Sequence, residues 1–445
     1  MKLTRIVPAL LVLSTLSGVG WGQRPGFGGP AVMTRPGAPL GRSEGATLAF
    51  RPFVGVTGRY DGNLFPAETG VPSALLRSHY GVEGQWGVYG VRRGERSIVG
   101  LSYAGSYRHY AGGTRYNGTN QFLNLTYTHQ LSQRTVVFVS PGFGIYKYGL
   151  HSTVAPLIID PFGLTAPVDP NEEGFDARTY AYSASAGVGH QLSERWSVML
   201  GGGGYYIERK NLSFISSQGA NSTARLAYQI GPTQQIGLTY TYSFFFFPRG
   251  FGESHNHTLQ LEYAVQLSPR WRAAIGAGVL RSENDRLARV VLDPEIAALT
   301  GQPTALEAVH RVVNRPAFRG TLGRQLERGA LSFFYRRDVH PGNGFISSAV
   351  RDEAGVSYSY TATERLNLGF HGSGYSYESL MQELRRYNSF GGGMGLNYAL
   401  TRYLHFTARF DIRRWGVTDS SFDRDRLGVT VGFMLSPGET PLALW

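Results

Sequence analysis

Arginine is the residue type whose spacing in this chain most clearly suggests chemistry. Arg311, Arg315 and Arg319 recur at intervals of four residues. In an extended strand this spacing places all three side chains on the same face. Rows of guanidinium groups attract anions, and rings of Arg or Lys make pores anion-selective. The alternative is that these groups are paired and solvated, and only brace a wall.

Other candidate sites are weaker. His255 and His257 have a spacing that can ligate a metal on a strand, but such a pair at a loop edge is more often solvated, so we predict no metal site. A run of oxygen ligands between residues 150 and 177 could hold Ca²⁺, yet its spacing fits no EF-hand. It comprises Asp160, Asp169, Asn171, Glu172, Glu173 and Asp176. No Ser, His and acid spacing defines a hydrolase, so we expect neither an enzyme nor a cofactor.

The composition favours strands. Of 445 residues, 17% are charged, while 59 are Gly, 26 are Tyr and 25 are Phe, which is unlike a helical enzyme. No composition break divides the chain, so one evenly patterned unit is expected. Cysteine is absent, which excludes disulfides and thiolate metal sites. The net charge of +12 comes from Arg residues spread along the chain, not from a patch, so we predict no nucleic-acid binding.

The N-terminus has the pattern of a secretion signal. Lys2 and Arg5 precede an apolar run from Ile6 to Leu16, and small residues surround Gly22. The run is too short to span a bilayer as a helix, so residues 1–22 are predicted to be a cleaved signal peptide. An uncleaved anchor is the alternative. Residues 23–45, rich in Pro and Gly, are predicted to be an extended linker.

From about residue 46 the chain alternates apolar and polar residues, the period-2 pattern of strands with two different faces. Tyr403 to Trp415 is the clearest case. Its apolar face is Leu404, Phe406, Ala408, Phe410 and Ile412, and its polar face is His405, Thr407, Arg409, Asp411 and Arg413. Such strands separate an apolar surface from a polar one.

Tight turns of similar sequence separate many of these strands. They lie near Arg93, Ser132, Glu194, Pro232, Pro269, Arg328, Glu364 and Thr401. Long linkers lie on the opposite side, for example Leu150 to Ala177 and Glu283 to Ala308, both predicted to be extracellular loops. This asymmetry is typical of outer-membrane barrels. We therefore predict an all-β fold, a single antiparallel transmembrane β-barrel of about 18 strands (16–20) over residues 46–435, with both termini in the periplasm and a tail at 436–445.

A secreted, water-soluble β-protein is the rival interpretation. Its strands would expose charge on one side, and its aromatic residues would not collect at strand ends. Here Phe244 to Phe247, Tyr375 and Tyr377 do collect there. We expect them to form the aromatic girdles of a membrane barrel.

The last strand carries a family resemblance. Arg426, Gly428, Val431 and Phe433 resemble the assembly signal of outer-membrane proteins, although Met434 to Trp445 follow the motif here. With the signal peptide and the turns, the chain resembles the porin-like β-barrel proteins of bacteria, and is also similar to barrels of exopolysaccharide-export operons. The resemblance implies an outer-membrane location, contact with outer-membrane lipid and the barrel-assembly machinery, and passage of small solutes or polysaccharide.

If the apolar faces contact lipid, the polar faces line a lumen. The lumen and selectivity candidates are Arg51, Arg59, Arg108, Arg225, Arg311, Arg315, Arg319, Arg351, Arg409 and Arg413, with Glu83, Glu262, Glu353 and Asp411 as the acids. Asn314 and Arg324 fall on the lipid side. Because Arg exceeds acid, a water-filled lumen that attracts anions is expected. The predicted function is a channel for small hydrophilic solutes, anions among them. The alternatives are an exopolysaccharide conduit and a surface structural or adhesion barrel, and the oligomeric state is left open.

Overall fold

The computed structural model shows that eighteen strands make up almost all of the described chain. The described residues are 51–62, 78–111, 117–147, 178–210, 214–248, 252–344, 346–381, 386–418 and 423–436. The predicted signal peptide, linker and most of the C-terminal tail lie outside these ranges, as does the segment from Leu150 to Ala177 with its oxygen ligands. No helix among the described residues is long and apolar enough to cross a bilayer.

The strands follow one another round a single sheet. They are β1 Arg51–Gly62, β2 His79–Arg93, β3 Ser97–Tyr110, β4 Gly118–Ser132, β5 Thr135–Tyr146, β6 Thr179–Gln191, β7 Trp196–Arg209, β8 Ser217–Gly231, β9 Gln234–Phe247, β10 Gly252–Ser268, β11 Trp271–Val291, β12 Thr304–Leu326, β13 Gly329–Gly342, β14 Ser347–Thr361, β15 Leu366–Ser379, β16 Arg386–Ala399, β17 Leu404–Val417 and β18 Asp423–Leu435. A short helix, α1 Pro294–Thr300, caps the hairpin between β11 and β12.

The sheet closes on itself, because β1 pairs antiparallel with both β2 and β18. Val56, for instance, lies opposite Gly84 on one side and Phe433 on the other. The predicted all-β barrel and the count of eighteen are therefore confirmed. Because the count is even, β1 begins and β18 ends at the end that carries the tight turns, which we call the turn end. The opposite end is called the loop end.

Hydroxyl side chains explain the recurring turn sequence. In the β6–β7 turn, Ser193 Oγ accepts hydrogen bonds from the backbone N–H groups of Arg195 (3.3 Å) and Trp196 (3.1 Å). Ser268 and Thr363 accept equivalent pairs of bonds in their own turns. A Ser or Thr at this position thus satisfies backbone donors that a tight turn would leave without partners.

The outward face of the barrel is apolar. Large hydrophobic side chains alternate with inward polar ones and remain exposed on strand after strand, among them Val54, Val56, Leu261, Ile275, Val279, Phe318, Phe390, Val431 and Phe433. Ile275 and Val279 are each 63% exposed. A continuous apolar band of this kind is not found on water-soluble proteins and is suited to lipid. The soluble alternative is therefore wrong.

The prediction of a long loop from Glu283 to Ala308 is also wrong. β11 continues to Val291, and β12 begins at Thr304, so most of this segment is a regular hairpin that extends past its neighbours. Residues near Glu283 are polar on both faces, since Ser282 and Asn284 point inward while Arg281 and Glu283 point outward. The alternation on which the strand prediction rested is absent there, although the backbone still pairs.

One hairpin leaves the wall and enters the bore. The tip of β13–β14, defined here as residues 338–344 and 346–351, is buried on both faces from Ile346 to Arg351. Ser348 Oγ donates to Ser254 Oγ (2.9 Å) and Asn284 Oδ1 (3.2 Å), which both belong to the inward face of neighbouring wall strands. The Gly344 carbonyl accepts from the Ile215 backbone N–H (2.8 Å). We call this segment the inserted tip. It narrows the barrel near the loop end.

Candidate functional site

Most of the predicted lumen residues do face inward. Arg59, Arg108, Arg225, Arg351, Arg409 and Arg413 are buried on the inner wall, as are the acids Glu83, Glu353 and Asp411. Arg51 begins β1, but its side chain lies outside the described part of the chain. The alternation of the sequence therefore identified the face correctly. What each side chain contacts was not visible in it.

An ion-pair network crosses the strands on either side of the point where β1 meets β18. Asp61 accepts bonds from Arg59, from Arg426 Nη2 (3.1 Å) and from the Tyr110 hydroxyl (2.6 Å). Glu83 pairs with Arg59 (2.8 Å) and with Arg108 Nε (3.1 Å). These side chains are almost fully buried; Arg108 as a whole is 1% exposed. This part of the lumen is filled by paired charges that brace the wall.

A second buried group lies between β14 and β17. Arg409 pairs with Asp411, and Arg413 donates to the Tyr375 hydroxyl (2.9 Å) and to Ser389 Oγ (3.0 Å). The Arg351 guanidinium lies 5.6 Å from the Tyr375 ring centroid, within cation–π range. These arginines also belong to the structural wall, because their charges are held by neighbouring side chains.

Arg319 has different surroundings. It lies opposite Gly276 on one side and Arg336 on the other, all on the inner face. Beyond Gly276, Glu262 binds Arg225 (2.9 Å), and Arg336 binds Glu353. Both nearby carboxylates are thus engaged by other arginines. Within the described part of the chain, Arg319 has no carboxylate at ion-pairing distance, and it is only half-buried.

The inner wall near Arg319 carries half-buried neutral polar side chains. Its neighbours on β8 to β10 include the half-buried Thr223, Thr241, Thr258 and Gln260. These uncharged hydroxyl and amide groups can form hydrogen bonds with a passing solute in place of its hydrating water. This side of the bore therefore combines neutral hydrogen-bonding groups with a cation that lacks a bound carboxylate.

The predicted arginine ladder does not act as a unit. Arg311 is exposed near the loop end of β12, opposite Asn284 of β11. Arg315 Nη2 lies 3.4 Å from Glu378 Oε1. Of the three, only Arg319 is half-buried on the inner wall and has no acidic partner among the described residues. The four-residue spacing located one face, but three different environments lie along it.

Comparisons with known proteins give structural likeness only. No protein-family model and no curated protein sequence matches the chain. Among solved structures, the outer membrane protein OpdK from Pseudomonas aeruginosa is 11% identical, with 87% of this chain and 99% of that chain covered and a TM-score of 0.42. OccAB1 from Acinetobacter baumannii is 10% identical, with 89% and 99% covered and a TM-score of 0.43. The fold itself is established by the closed strand register and the apolar exterior of this chain. By architecture, the chain is a transmembrane β-barrel of eighteen antiparallel strands.

Several aromatic residues that were predicted to form lipid-facing girdles lie on the inner wall instead. Tyr375 and Tyr377 are buried on the inner wall and do not form a lipid-facing girdle. Phe245 and Phe247 also point inward, where they pack with Met381. Aromatic residues two apart share one face, and here that face is the inner one. A count of aromatics at strand ends does not reveal which face they occupy.

The His pair belongs to the outer surface. His255 Nδ1 and His257 Nδ1 each lie 2.8 Å from a tyrosine hydroxyl, those of Tyr242 and Tyr240 respectively. No group of three metal-ligating side chains is found among the described residues. Arg324, predicted to face lipid near an interface, lies over the Trp271 ring at 5.0 Å beside the β10–β11 turn.

The proposed assembly motif lies in β18, with its residues divided between the two faces. Val431 and Phe433 are exposed outward, whereas Arg426 points inward to Asp61. Sequence reasoning did not include Asp61, Arg336 or Arg426 among the lumen residues. Asp61 could have been found, because it lies two residues after Arg59 on the same face of one strand.

Proposed function

We propose that the barrel is a channel for small hydrophilic solutes that favours anions. The observation that carries this proposal is the half-buried Arg319, which has two arginines near it and half-buried neutral polar groups beside it on the inner wall. Guanidinium groups that line a pore attract anions, and the attraction is strongest for ions that pass close to the wall, because salt screens charge over about 8 Å.

The buried arginines contribute less to selectivity. Arg59, Arg108 and Arg409 are paired with carboxylates, so each pair presents little net charge to a passing ion. The inserted tip also narrows the bore and brings solutes close to the remaining wall. We therefore expect a modest anion preference and a conductance below that of an unobstructed barrel of eighteen strands.

A planar-bilayer measurement tests this assignment. In a salt gradient, Arg319→Gln should move the reversal potential toward that of a neutral pore, since it removes one accessible charge but keeps a hydrogen-bonding side chain of similar length. Arg311→Gln is the matched control, because it removes the same charge from an exposed position nearer the loop end of the same strand. Equal effects of the two variants, or a native preference for cations, would refute the assignment.

Export of exopolysaccharide is the alternative function. A polymer needs a continuous bore wide enough for sugar rings, and the inserted tip opposes that. For this reason the small-solute channel is the better supported of the two.

A further inference from the structure

The wall between β12 and β13 is only partly joined by backbone hydrogen bonds. β12 pairs with β11 from Thr304 to Arg324, but with β13 only from Phe318 to Leu326. Residues 304–317 thus have no strand partner on the β13 side among the described residues. Pro316, which has no N–H to donate, lies just beyond the last pair, where a strand edge tolerates proline. We call this unpaired stretch the seam.

Apolar side chains close the seam. After Arg337, β13 moves inside the wall, so the outward face of the inserted tip lies against the inward face of β11 and β12. Val339 and Val350 of the tip, with Leu380, pack on Leu280, Val313 and Ala317. The Arg315–Glu378 ion pair (3.4 Å) also crosses the seam, and both of its side chains are about one third exposed (38% and 36%).

The seam reaches the lipid-facing band. Phe318, at its lower end, points outward and is 41% exposed, and Pro316 is also exposed on that face. Unpaired strand edges are tolerated at membrane depth only where protein covers them. Here the inserted tip provides the cover. The tip and β12 can separate without loss of any sheet hydrogen bond, unlike the other strand pairs, which are hydrogen-bonded along most of their length.

We propose that the seam is a lateral exit through which small apolar or amphipathic molecules pass between the lumen and the membrane. Movement of the tip away from β12 exposes a slot lined by Leu280, Val313 and Ala317, which suits hydrocarbon groups. The backbone groups of residues 304–317 can bind a polar end. This route is separate from the axial path past the tip that hydrophilic solutes take, and it extends the proposed function to a second class of solute.

A disulfide lock across the seam tests the route, and the chain has no native cysteine to interfere. The lock is Val313→Cys with Val350→Cys. In intact cells of a Gram-negative host, the apolar probe N-phenyl-1-naphthylamine reports lateral passage by its fluorescence. Nitrocefin, cleaved by a periplasmic β-lactamase, reports axial passage of a hydrophilic solute.

We expect the oxidised lock to reduce probe uptake at least fivefold, toward the level of cells without the barrel. The rate of nitrocefin cleavage should stay unchanged. Reductant should restore probe uptake. The control is Ser332→Cys with Ser357→Cys, whose hydroxyls lie 2.7 Å apart within β13–β14 away from the tip. If the lock does not form or the variant does not fold, Arg315→Ala provides a second test. It should raise probe uptake, whereas Arg311→Ala should not.

Three results would overturn the lateral exit: probe uptake no higher than in cells without the barrel, uptake unaffected by the lock, or loss of both fluxes on locking. The last result would make the tip an axial gate instead. If no nitrocefin enters the cells but probe uptake is present and is blocked by the lock, the hydrophilic channel is refuted and the lateral exit is supported.

Discussion

Replacement of Asp61 by Asn should show whether the buried charges brace the wall. Asp61 is fully buried and accepts bonds from Arg59, Arg426 and Tyr110. Asn keeps the size but removes the charge, and its amide can place N–H groups against a guanidinium. Removal of one partner from a buried ion pair typically costs about 3–5 kcal/mol, because the remaining charge is left without compensation.

Two features of the structure set where in that range the effect falls. Arg59 keeps Glu83 as a second partner at 2.8 Å, so its charge stays compensated. Arg426 has Asp61 as its carboxylate partner among the described residues, at 3.1 Å. We therefore expect the lower end, about 3 kcal/mol, which is roughly a hundredfold change in the folding equilibrium.

The assay is urea unfolding of the protein in lipid vesicles, followed by tryptophan fluorescence and by gel mobility. Asp425→Asn is the matched control, since Asp425 and Arg414 lie 3.7 Å apart with both side chains more than 60% exposed. Exposed pairs contribute about 0–1 kcal/mol. If Asp61→Asn lowers the free energy of unfolding no more than the control does, the network is hydrated and the bracing argument fails.

Three further predictions concern the wall and its turns. Gly355→Ala should destabilise the barrel by about 1–3 kcal/mol, because a Cβ there would lie 2.3 Å from the Phe334 ring. Gly320→Ala is the control: it has open space at its Cβ and should change stability by less than about 0.5 kcal/mol in the same urea titration. Ser193→Ala should cost about 1 kcal/mol because two backbone N–H groups lose their acceptor, and a cost no larger than that of the neighbouring Glu194→Ala would contradict the turn argument. Unheated protein should migrate differently from boiled protein on a denaturing gel and give a β-rich circular dichroism spectrum; a helical spectrum would contradict the fold.

The strand pattern was predictable because its causes are local. Each wall residue faces either lipid or the lumen, so hydrophobicity alternates along the strand with no reference to distant residues. Leu404 to Arg413 showed this alternation, and the structure has the same two faces. The tight turns were predictable for a similar reason, since the hydroxyls of Ser193 and Thr363 bond to backbone groups only two and three residues away.

The prediction of strands and their faces failed where the wall no longer separates lipid from the lumen. Beyond the apolar band, both faces of β11 near Glu283 are polar, so the period disappears although the strand continues. The inserted tip shows the opposite case. Val339 and Val350 occupy ordinary outward positions in the alternation, but they contact protein instead of lipid.

The chemistry of the lumen was decided by tertiary structure alone. Arg59, Arg315 and Arg319 look alike in the sequence, yet the first is buried against Asp61 and Glu83 and the second pairs with Glu378. The third has no acidic partner among the described residues. Partners such as Arg426 and Asp61, 365 residues apart, meet only because the barrel closes β18 onto β1. The sequence by itself determined the approximate number of strands, their two faces and the end at which the chain turns, since these depend on neighbours along the chain. Which charges are neutralised, and where the wall is left unpaired, depends on which strands close beside one another and on a hairpin that folds into the bore.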